Sequence, residues 1–104
     1  MSYQDFPKLI SATEAAALVQ DGDTLATSGF VGIGFPEKLA IALEKRFLQE
    51  HSPQWLTLVY AAGQGDGKEK GLNHFAHEGL VRRVIGGHWG LVPALGKLAV
   101  EGKI

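Results

Sequence analysis

Nine of the fourteen glycines in this 104-residue chain fall in three short loops: Gly29, Gly32 and Gly34; Gly63, Gly65 and Gly67; Gly86, Gly87 and Gly90. Glycine loops bring backbone N–H groups close to a ligand, where they stabilise an anion or a developing oxyanion. The second loop also holds Gln64 and Asp66. These side chains can orient a carboxylate or carbonyl, although an Asp in such a place also caps its own backbone in a turn. The third loop carries His88 and Trp89 between glycines.

Other chemistries fit the spacing poorly. A dinucleotide fingerprint needs Gly-x-Gly-x-x-Gly, whereas the first loop runs Gly29-x-x-Gly32-x-Gly34 and the second Gly63-x-Gly65-x-Gly67. A P-loop needs Lys followed by Ser or Thr, but Glu69 follows Lys68. Dehydrogenase and kinase readings are disfavoured on these grounds. His74, His77 and Glu78 suggest a metal by type, and residues three apart share a helix face. The His-Glu-x-x-His pattern is absent, and a third ligand would have to come from His88 or Asp66. No metal is expected, and these histidines read as surface and packing residues.

Each glycine loop follows a candidate strand. Asp21-Gly22 is a turn, and Thr24 to Ser28 fits a short buried strand leading into the first loop. Pro36 opens a helix to Glu50, with Leu39, Leu43 and Phe47 on one stripe beside Ala40. Glu37 in its first turn and Lys45 and Arg46 toward its far end suit the helix dipole, and His51-Ser52-Pro53 ends it. Leu56 to Tyr60 (LTLVY) is the second strand. Strand, helix and strand in this order predict parallel pairing with a right-handed crossover.

Arg82 to Ile85 is the third strand, and Val92 to Glu101 a helix with Leu95, Leu98 and Ala99 inward. Glu101-Gly102-Lys103-Ile104 falls where that helix stops and another strand is expected to begin. Arg82 and Arg83 are expected on opposite faces of the sheet. Asn73 is expected to cap a short helix to Gly79. Before the first strand, Ser11-Ala12-Thr13-Glu14 fits a capping box for a helix through Leu18-Val19. Met1 to Pro7 shows little pattern and is read as loosely held or paired at a sheet edge. The fold class is α/β, an open, mostly parallel sheet with flanking helices. Parallel strands would set all three loops on one carboxyl edge, where open α/β sheets bind ligands.

Composition sets outer limits. The chain is one domain at most, 45% hydrophobic and 20% charged, with a formal net charge of −1. That balance gives no sign of a nucleic-acid or membrane-surface partner. There is no cysteine, hence no disulfide or thiolate chemistry. No apolar run approaches the roughly 20 residues of a membrane span, no secretory leader is visible, and cytoplasm is the default expectation.

Asp21-Gly22, Leu25-Ala26-Thr27, Ser28-Gly29-Phe30, Gly34 and Pro36 together resemble the N-terminal motif of the family I coenzyme A transferases. Thr27 replaces an apolar residue of that motif, and Ser28 replaces the first glycine of a pair. The stretch Ala62 to Ala99 is similar to the fused, single-chain acetate or propionate CoA-transferases. The likeness runs from about Lys8 to the end, and family members are several times longer. It implies that residues 1–104 are the N-terminal part of the first α/β domain, incomplete as a unit.

The resemblance also implies a reaction: CoA passes from a short-chain acyl-CoA to a free carboxylate through a glutamyl-CoA intermediate. The family's nucleophilic glutamate belongs to the second half, beyond Ile104, so no catalytic residue is assigned here. Gly29, Phe30, Val31 and Gly32 from the first loop, and Gly63, Gln64, Gly65 and Asp66 from the second, are the expected substrate-binding wall. Phe30 is placed on the acyl group or pantetheine arm, or else in core packing. Trp89 lines a channel beside His88 as donor, or plugs the sheet edge, or meets a second subunit. CoA thioester is substrate, and no cofactor is expected. The expected partners are the C-terminal half of the same chain and a homo-oligomer when full length. The 104 residues alone are expected to be inactive; the alternatives are a stand-alone acyl-CoA or small-molecule binding module and an inert truncated piece.

Overall fold

The computed structural model describes residues 9–104, so the reading of Met1 to Pro7 lies outside the described residues. In chain order the elements are α1 (Ala12–Ala16), β1 (Thr24–Ala26), α2 (Glu37–Glu50), β2 (Leu56–Tyr60), a 3₁₀ turn (Leu72–Phe75), β3 (Val81–Gly86) and α3 (Pro93–Val100). The three strands form one sheet in the order β1-β2-β3, and both pairings are parallel. The carboxyl ends of all three strands therefore share an edge, and all three glycine loops leave from it.

The capping box is present: Ser11 Oγ accepts the Glu14 N–H at 3.1 Å, and the Glu14 carboxylate accepts from the Ser11 N–H. The helix it starts stops at Ala16, short of the expected Val19. The reason lies across the interface. Arg46 of α2 donates to the Ala16 carbonyl at 2.9 Å and the Val19 carbonyl at 2.6 Å, satisfying carbonyls that a longer helix would have used itself. Arg46 thus serves the end of α1 and not the dipole of its own helix. α2 ends as expected, with His51 in the left-handed region at φ 56° and its N–H on the Phe47 carbonyl.

Registered partners in a parallel sheet point to the same face. Leu25, Leu58 and Val84 form one such row, and it faces the core with Ala40, Leu43 and Phe47 of α2. Leu39, expected on that stripe, is instead 42% exposed. The buried stripe runs Ala40, Leu43, Phe47, and Leu39 borders the apolar hollow beside β1, one of the two edge strands. On the opposite face Ala26 and Ile85 are exposed beside half-buried Val59, so this side of the sheet is open among the described residues.

Arg82 and Arg83 do not fall on opposite faces of a regular strand. The register slips between Leu56 and Thr57, skipping Arg82, and both arginines are exposed. In α3, Leu95 is fully buried, but Leu98 is only half-buried and Ala99 exposed, because the helix rests on the 3₁₀ turn through its first turns and its end runs past. α3 stops at Val100 as expected, and Glu101 and Gly102 make a turn; the strand expected to follow lies outside the described residues. Ile104 is half-buried and packs back against the core of this same unit. Asn73 does not cap a helix. It sits inside the 3₁₀ turn, buried, and its amide donates to the Lys70 and Leu91 carbonyls at 2.9 and 3.0 Å.

Candidate functional site

The first loop folds back on itself. Phe30 and Ile33 exchange backbone hydrogen bonds of 2.9 Å, closing a turn over Val31 and Gly32. Val31 is held at φ 57°, a conformation that a β-branched residue rarely adopts. Its N–H donates to the Gly63 carbonyl at 2.7 Å, so the strained residue ties the first loop to the second through its backbone. The Phe30 and Ile33 side chains are 62% and 78% exposed at the tip. Phe30 is thus not packed in the core. Gly29 is required by its backbone: at φ 130° a Cβ would sit 2.9 Å from the Phe35 nitrogen.

Gln64 lies beneath both loops and is 1% exposed. Its Oε1 accepts from the Thr27 hydroxyl at 2.5 Å, while its Nε2 donates to the carbonyls of Thr27 (3.1 Å) and Gly29 (3.4 Å). The amide orientation follows from these partners, since only an NH₂ can serve two carbonyls. Thr27, the polar residue in an otherwise apolar triplet, is there to meet Gln64. The Gln64 carbonyl also accepts the Leu72 N–H at 2.9 Å.

Asp66 turns the second loop. Its Oδ1 accepts the N–H groups of Lys68, Glu69 and Lys70 at 2.9, 2.9 and 3.1 Å. The Lys70 and Lys68 bonds above all hold the carboxyl below its ordinary 3.8. Gly71 then closes the loop at φ 67°, where a Cβ would stand 2.5 Å from the Gln64 carbonyl oxygen.

A cavity of about 270 Å³ opens between the loops, lined by Val31 and Gly32 from the first, Gly65, Asp66, Lys70 and Gly71 from the second, and Glu37 of α2. Four of the eight residues expected to bind substrate therefore share one hollow. Of the rest, Gly29, Gly63 and Gln64 form its scaffold, and Phe30 stands outside it. An apolar hollow of about 260 Å³ beside β1, lined by residues such as Leu25, Leu39 and Phe75, contains none of the eight. At the third loop the His88 ring packs near Gly63, where an added Cβ would meet it at 2.7 Å, and Trp89 packs partly against the core.

Sequence reading missed Glu37, Lys70 and Gly71 as lining residues. It also missed what the histidines do. His74 lies between two carboxylates of α2, with Nε2 2.6 Å from Glu37 Oε2 and Nδ1 2.8 Å from Glu44 Oε1; His77 Nε2 is 2.7 Å from Glu44 Oε2. The available signal was the spacing of Glu37 and Glu44, two turns apart on one helix face. Glu37 is the glutamate that lines the hollow, and both of its oxygens are engaged, by His74 and by the Gly71 N–H. The nucleophilic glutamate expected beyond Ile104 lies outside the described residues. Among the described residues no group of three or more His, Asp or Glu side chains is placed to hold a metal ion. Nor is any helix long and apolar enough to cross a membrane.

A parallel three-stranded sheet with a glycine-loop hollow at its carboxyl edge matches a known class. The family model described as coenzyme A transferase matches residues 9–104, and the chain belongs to that family. It is 36% identical over 91 residues to the caffeate CoA-transferase of Acetobacterium woodii, covering 88% of this chain and 17% of that protein. It is also 36% identical over 98 residues to the acetate CoA-transferase YdiF of Escherichia coli K12, covering 92% and 18%. Among solved structures, the acyl-CoA transferase YdiF of E. coli O157:H7 in a thioester complex with CoA superimposes with a TM-score of 0.89. The identity there is 35%, over 91% of this chain and 20% of that one. The chain thus spans less than a fifth of the length of the two curated relatives.

Proposed function

We propose that this chain forms the N-terminal wall of a site that moves coenzyme A between a short-chain acyl-CoA and a free carboxylate. The observation that carries the reading is the hollow shared by Val31, Gly32, Gly65 and Asp66, on the edge where all three strands end. Similarity to an acetate CoA-transferase supports the short-chain class, and similarity to a caffeate CoA-transferase supports CoA transfer to a carboxylic acid more broadly. The chain is read as the first part of an α/β domain, with the nucleophile supplied by a second half beyond Ile104.

In this reading a glutamate carboxylate from that half attacks the thioester carbonyl. The C–S bond breaks, CoA leaves as thiolate, and an acyl-glutamyl anhydride remains. The thiolate then attacks the glutamyl carbonyl and expels the acyl carboxylate, giving glutamyl-CoA. An incoming carboxylate reverses both steps. Backbone N–H groups of the glycine loops stabilise each tetrahedral oxyanion. Gln64 and Asp66 hold the loop that carries those groups, and Phe30 offers an exposed ring to the acyl or pantetheine portion. The site needs no cofactor beyond the CoA thioester itself.

The test is a nuclear magnetic resonance titration of the ¹⁵N-labelled chain with acetyl-CoA, beside an assay of label exchange between acetyl-CoA and propionate. Shifts centred on Gly29 to Gly32 and Gly63 to Asp66, with no exchange, are expected. Shifts elsewhere only would remove the site assignment, and exchange by the chain alone would remove the dependence on a second half. A binding module without transfer chemistry would bind equally well but stay inactive when joined to a complete C-terminal half.

A further inference from the structure

The His74 ring has a carboxylate at each nitrogen, Glu37 at 2.6 Å and Glu44 at 2.8 Å. Carboxylates only accept, so both nitrogens donate together only when the ring is imidazolium. Glu37 has a second duty: its Oε1 accepts the Gly71 N–H at 2.9 Å, and both Glu37 and Gly71 line the hollow between the loops. Gly71 in turn bridges Gly65. A continuous path thus runs from His74 through Glu37 to the second glycine loop.

We infer that His74 is a positioning residue: as imidazolium it fixes Glu37 so that Glu37 holds Gly71, and through it the second glycine loop, against the start of α2. The inference rests on the proposed role of that loop, but its experiment uses no CoA, so the two readings fail separately.

The surroundings favour this charge state. α2 presents Glu37 and Glu44; the second loop presents Lys68, Glu69 and Lys70 to the same groove; His77 is the remaining titratable group there, and α3 contributes only Ala94. Burial pushes the His74 pKa down, but the bonds to Glu37 and Glu44 outweigh it and leave it above the ordinary 6.5. For Glu37, burial pushes up, and the bonds from His74 and Gly71 outweigh it and leave it below 4.5. A raised histidine contributes fully below its unfolded value and loses its contribution as pH rises through the raised one. A lowered carboxylate contributes above its unfolded value and loses that as pH falls through the lowered one. The clasp is therefore whole between the two ordinary values, 4.5 and 6.5, and it opens only beyond them, as pH rises through the raised His74 value or falls through the lowered Glu37 value.

The experiment is a pH titration of the ¹⁵N-labelled chain, reading both His74 ring nitrogens and the Gly71 and Gly65 amides. The expected result is a His74 midpoint above 6.5 with both amides inflecting at that midpoint. Glu37→Gln is expected to lower the midpoint by about one pH unit, a tenfold loss in proton affinity, and to uncouple the amides. A midpoint at or below 6.5, amides that ignore it, or no response to Glu37→Gln would each overturn the inference. So would a chain with no dispersed Gly71 amide at any pH, because the clasp is asserted of this chain alone.

Discussion

Gln64→Leu is expected to lower stability by about 2–3 kcal/mol, read as a shift of the urea midpoint at constant slope. Leucine matches glutamine roughly in size, so packing changes little. What changes is that the carbonyls of Thr27 and Gly29 lose their donor in a site where Gln64 is almost wholly buried. An unmade bond to a buried group costs more than a made bond contributes. The same variant should also lose acetyl-CoA shifts at Gly29 to Gly32. A double-mutant cycle separates this account from simple crowding. Thr27→Val removes the partner hydroxyl, so Thr27→Val with Gln64→Leu should cost less than the two singles added together. Strict additivity would show that the 2.5 Å contact carries no coupling.

Gly71→Val should be more damaging, by about 3 kcal/mol or more. At φ 67° the backbone suits glycine, and a Cβ would lie 2.5 Å from the Gln64 carbonyl oxygen. Neither strain is relieved by moving a flexible side chain, because the obstacle is backbone. The Gly65–Gly71 bridge and the Glu37–Gly71 bond would give way first, so amide exchange should accelerate in the second loop ahead of the strands. Gly67→Val is the internal control. It shares a left-handed φ of 77° but has nothing within 4 Å of an added Cβ, so it should cost only the conformational part.

What was legible in the sequence was local. LTLVY reads as β2 to the residue, because it is a short β-branched and apolar run between turn signals. The Ser11 capping box is legible because its partners lie three residues apart. The shared edge of the three loops followed from strand–helix–strand order, a rule of handedness and not of contacts. The errors were long-range. The end of α1 depends on Arg46, some thirty positions on, and nothing in ATEAA announces it. The buried stripe of α2 falls on Ala40, Leu43 and Phe47, and Leu39 is left half open at the hollow beside β1, a placement set by how the helix sits on the sheet.

The site divides in the same way. Gly29 to Gly32 and Gly63 to Asp66 were legible as glycine loops after strands, and four of those eight residues line one hollow. The Asp66 turn was a local alternative that the structure adopts. The His74 pairing joins residues 30 and 37 positions apart, which spacing along one element does not reach.

The left-handed Val31 makes the first loop a place where this protein can be made more durable by one substitution, and a hazardous one. Val31→Gly removes a steric cost of about 1–2 kcal/mol and adds back about 0.5–1 kcal/mol of chain entropy. A small rise in melting temperature is the expected outcome. Selection for heat resistance alone would therefore find this position early. It would accept a looser tip in return, and the Val31 N–H that reaches Gly63 would no longer be held in place by its own residue. A library screened for thermal survival and then for acetyl-CoA binding should show the two traits parting company at residue 31 before anywhere else in the loop.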